Sequence, residues 1–320
     1  MTPDLSVDLA PSNKQGLRLI NPVLVASGTF GYGTEYQALV DIQRLGAICS
    51  KGITVYPRQG NPPPRIAETP SGMLNAIGLQ NVGLRRLVSE KAPIWARWRV
   101  PVIVNISGES VDDFERLAGS LDGVPGVAGL EVNISCPNIR AGGRLFADDA
   151  ESAAAVTRAV RAASSLPLMV KLSPNAGDVV PIALAVEAAG ADSLSVANTL
   201  IGMSIDVAAR RPYIANVTAG LSGPAVRPVI LRLVYQVAAA VQIPIVGVGG
   251  VTCTADALEY LMAGAAAVQV GTANFVNPRT ALEIVDGLTK YLADHGLARV
   301  ADVVGAANLA RHARLVTTAS

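Results

Sequence analysis

The chain has 320 residues, of which 50% are hydrophobic and 16% charged, with a net charge of +1. That composition fills a large core, and the near-zero charge and 4% aromatic content argue against nucleic acid or an anionic membrane as partner. Three widely spaced cysteines, Cys49, Cys136 and Cys253, form neither a disulfide framework nor a metal-binding cluster, which fits a reducing cytoplasm and no metal.

Asp4 and Asp8 interrupt the N-terminal stretch, so no secretory leader is expected there. Residues 5–9 and 17–20 flank the turn-like run 11–16 and predict a hairpin that plugs one end of the fold. A short strand over 22–26 ends in Ser27-Gly28-Thr29, and 35–45 read as a helix. The strand over 46–50 ends at Lys51-Gly52. A loop from Tyr56 to Asn81 follows, with five prolines, and its length marks it as functional. Next come a helix over 83–98, a strand over 101–105 ending at Asn105, and a helix over 110–121. The strand over 129–133 runs into Ser135-Cys136-Pro137-Asn138 and a glycine-containing loop, which leads to an Ala-rich helix over 148–164. The strand over 167–172 carries Lys171 at its end and precedes a helix over 178–189. The strand over 191–197 ends at Asn198-Thr199, and a second long loop runs on to Gly223-Pro224. The remaining elements are a helix over 226–241, a strand over 243–248 ending at Gly249-Gly250, a helix over 254–264, a strand over 265–270 ending at Gly271-Thr272, and a helix over 278–294. From 302 to 320 a short final helix and a frayed end are expected.

Eight strands alternating with eight helices predict parallel pairing through right-handed crossovers. The expected fold class is α/β, a (β/α)₈ barrel with long loops at the carboxyl ends of its strands. An open doubly wound sheet is the alternative, but no glycine-rich dinucleotide turn follows the first strand. No compositional boundary divides the chain, so 1–320 are expected to form one unit.

In such a barrel the carboxyl ends of the strands carry the chemistry. Here they hold two lysines and three asparagines, Lys51, Lys171, Asn105, Asn133 and Asn198, which are costly to bury without a ligand. Gly249-Gly250 and Gly271-Thr272 end the last two strands, where many barrels bind phosphate; the same glycines also serve simple turns. A flavin fits such a mouth, with Lys171 placed to stabilise charge on a reduced ring. Asn105 and Asn133 would match a pyrimidine-like edge. His295 and His312 lie away from the strand ends, and acidic residues are scarce at the mouth. Cys136 is therefore the best candidate base, although a lone cysteine at a strand end is often only a packing residue. Cys49 and Cys253 read as core or packing thiols.

Several motifs then carry a resemblance over nearly the whole chain. They are Ser50-Lys51-Gly52, Gly60-Asn61-Pro62 with Pro64-Arg65, Asn75 to Asn81, Asn133-Ile134-Ser135-Cys136-Pro137-Asn138, and Gly220 to Pro224. The sequence resembles the class 1 dihydroorotate dehydrogenases. Glu68-Thr69-Pro70 with Gly72-Met73-Leu74-Asn75 is similar to their B subtype, which passes electrons to NAD, rather than to the fumarate-using A subtype. Class 2 enzymes have Ser where Cys136 stands. The resemblance implies that Cys136 takes a proton from C5 of dihydroorotate while hydride leaves C6 for FMN. It implies substrate contacts from Lys51, Asn75, Ala76, Ile77, Gly78, Leu79, Asn133, Asn138, Asn198 and Thr199. It implies FMN contacts from Ser27, Lys51, Gly52, Asn105, Asn133, Lys171, Ala197, Gly223, Gly249, Gly250, Gly271 and Thr272. A partner subunit carrying FAD and a [2Fe-2S] cluster is implied too, in a heterotetramer built on a dimer of this chain. The departures are Val82 for an expected Pro, Ala197 for a larger apolar residue, and a longer tail beyond Asn308. A fumarate-dependent homodimer and a non-redox phosphate-binding barrel, an isomerase or lyase, stand as alternatives.

Overall fold

Short apolar runs too brief for helices pair as strands here. They are Val23–Val25 (β1), Ala47–Cys49 (β2), Val102–Ile106 (β3), Gly129–Asn133 (β4), Leu168–Lys171 (β5), Ser193–Val196 (β6), Ile245–Val248 (β7) and Ala267–Val270 (β8). In the computed structural model they pair in parallel in chain order, and β8 closes on β1 through Val268 opposite Val23. Both faces of these strands are covered, so their residues are buried almost without exception. The structure describes residues 2–135 and 149–310, with the backbone pairing of Arg140–Ala141 and Arg144–Leu145 between them. Cys136, Asn138, His312 and the expected frayed end lie outside the described residues.

Helices connect the strands, and their first turns explain where they start. Ser110, Asp149 and Asp178 each accept a bond from a backbone N–H in the first turn of Val111–Leu121, Ala150–Ala163 and Val179–Ala188. Arg227–Ala240, Thr254–Ala263 and Thr280–Asp294 complete the outer layer, with a short helix, Ala273–Val276, directly after β8. The predicted helix over 83–98 spans Gly83 to Trp95 and widens into a π turn at Leu87–Lys91. Pro93, which lacks an N–H to give to the preceding turn, follows that distortion.

The segment over 35–45 is not the α-helix the sequence suggests. It forms two 3₁₀ turns, Thr34–Tyr36 and Ile42–Arg44. Glu35 turns back to accept from the Tyr32 N–H at 2.9 Å, and Asp41 accepts from Gln43 N–H at 3.1 Å. These side-chain bonds compete with the helical ladder.

The N-terminal hairpin pairs Val7–Asp8 with Arg18–Leu19. Its Leu9, Leu17 and Leu19 are buried against Leu24, Ala47, Ile103, Met169, Val246 and Ala267, which close the amino end of the barrel from inside. At the opposite end the two long loops do not stay irregular. Leu200–Gly202, Ala219–Ser222, Gly72–Asn75 and Ile66–Thr69 form a four-stranded antiparallel sheet in that order. A floor at one end and a roof at the other leave the strand tips facing a covered mouth. Among the described residues no helix is long and apolar enough to cross a membrane.

Trp95 anchors the helical layer. It is 2% exposed, and its indole N–H donates to the Tyr32 carbonyl at 2.9 Å. Trp95→Ala is expected to destabilise the fold by about 3–5 kcal/mol, read as a lower denaturant midpoint. A midpoint unchanged from wild type would mean that the indole contributes nothing to that layer.

Candidate functional site

The strand tips converge on one cavity of about 510 Å³ between the barrel mouth and the antiparallel sheet. Ser27 follows β1, Lys51 and Gly52 follow β2, and Asn105, Asn133 and Lys171 come from β3, β4 and β5. Ala197, Asn198 and Thr199 follow β6, Gly249 and Gly250 follow β7, and Gly271 and Thr272 follow β8. The roof contributes Asn75, and Ala76, Ile77, Gly78 and Leu79 after it, with Gly223 at the end of the second loop. Every residue expected to contact substrate or FMN lines this cavity, apart from Asn138, which like Cys136 lies outside the described residues. Ser135, the neighbour of Cys136, lines it as well.

Gly78 shows why the roof turn is built as it is. Its φ is +74°, and a Cβ there would come within 2.7 Å of the Asn61 backbone nitrogen. Only glycine satisfies both the left-handed backbone and the close approach. Asn61 in turn donates from Nδ2 to the Ala76 carbonyl at 2.9 Å.

The polar side chains at the mouth hold one another. Ser135 Oγ donates to Asn133 Oδ1 at 2.8 Å, and Asn198 Nδ2 donates to Ser135 Oγ at 2.6 Å. The Thr199 N–H donates to Asn198 Oδ1 at 2.8 Å. With its Oδ1 occupied, Asn133 is left with its NH₂ as the group to offer a ligand. Burial, and then the Arg65 charge, pull the Lys51 ammonium below the ordinary lysine range.

The glycine loop after β7 packs tightly beside Gly223. Gly250 has φ +69°, and a Cβ there would lie 2.8 Å from the Gly223 carbonyl oxygen and 3.1 Å from the Arg227 nitrogen. The Gly249 carbonyl accepts from the Tyr260 hydroxyl at 2.6 Å, and Thr272 Oγ1 donates to Ser222 Oγ at 2.8 Å. Asp256 accepts from Thr252 N–H and Oγ1 and pairs with Arg227, so the chain just past Gly250 is pinned. Gly250→Ala therefore forces two backbones apart in a strained conformation. The expected result is a folded protein that binds a phosphate-bearing ligand at least about tenfold more weakly, one pKd unit being 1.4 kcal/mol, by titration of the apoprotein. Unchanged affinity would remove that loop from ligand binding.

Sequence reasoning missed the buried layer beneath the mouth. Glu131 on β4 is 0% exposed and is held by Asn105, Ser195, Gln269 and Lys171. Burial disfavours its charge, but Lys171 and the three hydrogen-bond donors outweigh this and hold the carboxyl below its ordinary range. The available signal was strand alternation, since Glu131 stands two residues before Asn133 and shares its face. Cys49 is buried as expected, and burial followed by the Glu131 charge pushes its thiol well up. Cys253 is exposed, against the expectation of a packing thiol. It sits just before Thr254–Ala263, where its carbonyl accepts from the Ala257 N–H and its side chain stays outside the core.

A family model described as dihydroorotate dehydrogenase matches residues 10–292. The dihydroorotate dehydrogenase B (NAD(+)) catalytic subunit of Pelobacter propionicus is 55% identical over 306 residues, covering 96% of this chain and 99% of that protein. The subunit of the same name from Desulforamulus reducens is 55% identical over 293 residues, covering 92% and 96%. That from Geotalea uraniireducens is 53% identical over 304 residues, covering 95% and 98%. A match of this extent, on a barrel whose polar strand tips meet at one cavity, places the chain in the dihydroorotate dehydrogenase family.

Proposed function

We propose that this chain oxidises dihydroorotate to orotate in pyrimidine biosynthesis, as the catalytic subunit of an NAD-linked enzyme. The observation that carries the reading is the meeting of two lysines, three asparagines and two glycine loops around one cavity in a chain of this family.

FMN is the flavin we assign to the cavity, and the residues present suit it. The glycine-containing loops at Gly223, Gly249-Gly250 and Gly271-Thr272 suit a phosphate. Asn105 Oδ1 is buried with no donor, an acceptor available to a ring N–H. Lys171 is a cation at the cavity wall. Ser27, Lys51, Gly52, Asn133 and Ala197 complete the set. FMN, when bound, supplies the two-electron acceptor.

The chain's own residues then bind and deprotonate the substrate. Lys51 holds an anionic group of the substrate, with Asn75, Ala76, Ile77, Gly78 and Leu79 above it and Asn133, Asn138, Asn198 and Thr199 beside it. Cys136 takes the proton from C5, a task that needs the thiolate, and a free cysteine titrates at about 8.5. The roof sheet excludes water from the reacting atoms. Electrons leave through a partner subunit with FAD and a [2Fe-2S] cluster, in a heterotetramer built on a dimer of this chain, each copy working as one unit over 1–320.

The test is acceptor dependence. Orotate is expected from the FMN-loaded chain with NAD⁺ only when the electron-transfer subunit is present, and not with fumarate alone. Fumarate-supported turnover by the isolated chain would indicate an unaided homodimer instead. Protein that stays colourless after FMN addition would point to a non-redox barrel.

A further inference from the structure

Glu131 has no place among the substrate or phosphate contacts, yet its carboxylate lies fully buried inside the barrel one layer below the cavity. Ser195 Oγ and Gln269 Nε2 donate to its Oε1 at 2.9 and 2.8 Å. Asn105 Nδ2 donates to its Oε2 at 2.6 Å, and Lys171 Nζ lies 3.5 Å from the same oxygen. From β2 the Cys49 sulfur accepts from Gln269 at 3.2 Å. Around β1 and β7 the inner wall adds apolar side chains, Leu24, Ala26, Val246 and Val248. Among the described residues the titratable groups facing Glu131 are thus Lys171 and Cys49. A buried carboxylate persists only when both oxygens are served, and here they are.

Two of those partners also reach the cavity. By giving its Nδ2 to Glu131, Asn105 turns its Oδ1 the other way, toward Gly52, where a Cβ would lie 2.7 Å from that oxygen. That oxygen is buried and has no donor. Lys171, its side chain 7% exposed, is tethered at the wall by its counter-charge. We propose that Glu131 is the positioning residue of the flavin site: it fixes which atom of Asn105 faces the cavity and holds the Lys171 ammonium in place. The inference rests on the assignment of FMN to this cavity.

Glu131→Gln keeps the shape and removes the charge, leaving the Lys171 ammonium without its counter-ion at the cavity wall. Fluorescence titration of the apoprotein with FMN should give E131Q an affinity about tenfold weaker than wild type. The midpoint potential of the bound flavin should fall, although loss of a buried negative charge alone would raise it. Adding E131Q to Lys171→Met should cost less than E131Q does alone, because part of the effect runs through the lysine. Wild type that takes up FMN while E131Q binds it equally tightly overturns this inference alone, as do simply additive losses. Wild type that takes up no FMN overturns the flavin assignment and this inference with it. If E131Q does not fold, E131Q/K171M, which removes both charges, should fold and bind FMN about as K171M does. A double variant as unfolded as E131Q would make Glu131 a purely structural residue and overturn the assignment.

Discussion

Replacing Cys136 by alanine is expected to leave FMN bound and to slow its reduction by dihydroorotate about 10²–10⁴-fold, the usual contribution of a positioned general base. The expectation follows from what else surrounds the cavity. Among the described lining residues there is no histidine, and the one carboxylate is Glu109, ion-paired with Arg58 at 2.7 Å. His295 is exposed, with Nδ1 2.8 Å from the Tyr291 carbonyl. Glu131 is sealed below the mouth among four partners. Among the described residues of that loop Ser135 is engaged with Asn133 and Asn198, and the proton-removal role is the one proposed for Cys136. Anaerobic stopped-flow absorbance measures the rate directly. Reduction at the wild-type rate would take the proton-removal role away from Cys136.

Lys51→Met is expected to weaken dihydroorotate and orotate binding roughly ten- to hundredfold, the loss of a charged hydrogen bond of about 1.5–3 kcal/mol. The sign with pH follows from the environment of the ammonium. Burial and the nearby Arg65 lower its pKa below the ordinary value of 10.5. The charged form that binds the anion is complete at pH values below the lowered pKa and is lost as pH rises through it. Orotate affinity of the wild type should therefore fall on the alkaline side earlier than an exposed lysine would allow. Lys51→Met should lack that arm. Titration of the flavin spectrum with orotate across pH gives both results. A flat wild-type profile, or a variant with wild-type affinity, would remove Lys51 from the substrate site.

The barrel was legible because its strands are buried on both faces and read as apolar runs such as Val102–Ile106 and Ile245–Val248. Their polar ends, Lys51, Asn105, Lys171 and Asn198, interrupt those runs at the depth where the cavity begins. The hairpin that plugs the barrel was legible too, from the turn residues between 11 and 16. Two of the features that escaped, the roof sheet and Glu131, depend on contacts far apart in the chain. The roof sheet pairs Leu74 with Leu221 and Asn75 with Gly220, and each strand, three or four residues long, is too short to announce itself. The missing helix over 35–45 was decided by Glu35 and Asp41 bonding to nearby backbone. Glu131 went unremarked because an acidic residue inside a barrel makes sense only once Asn105, Ser195 and Gln269 arrive from three other strands.

The proposed function requires that substrate reduce a flavin held at the barrel mouth. The most direct measurement is the anaerobic absorbance of the purified, FMN-loaded chain on addition of dihydroorotate. Prompt bleaching of the long-wavelength flavin band, with orotate formed in equal amount, is the predicted result. A band that keeps its intensity while the protein remains folded and yellow would contradict it.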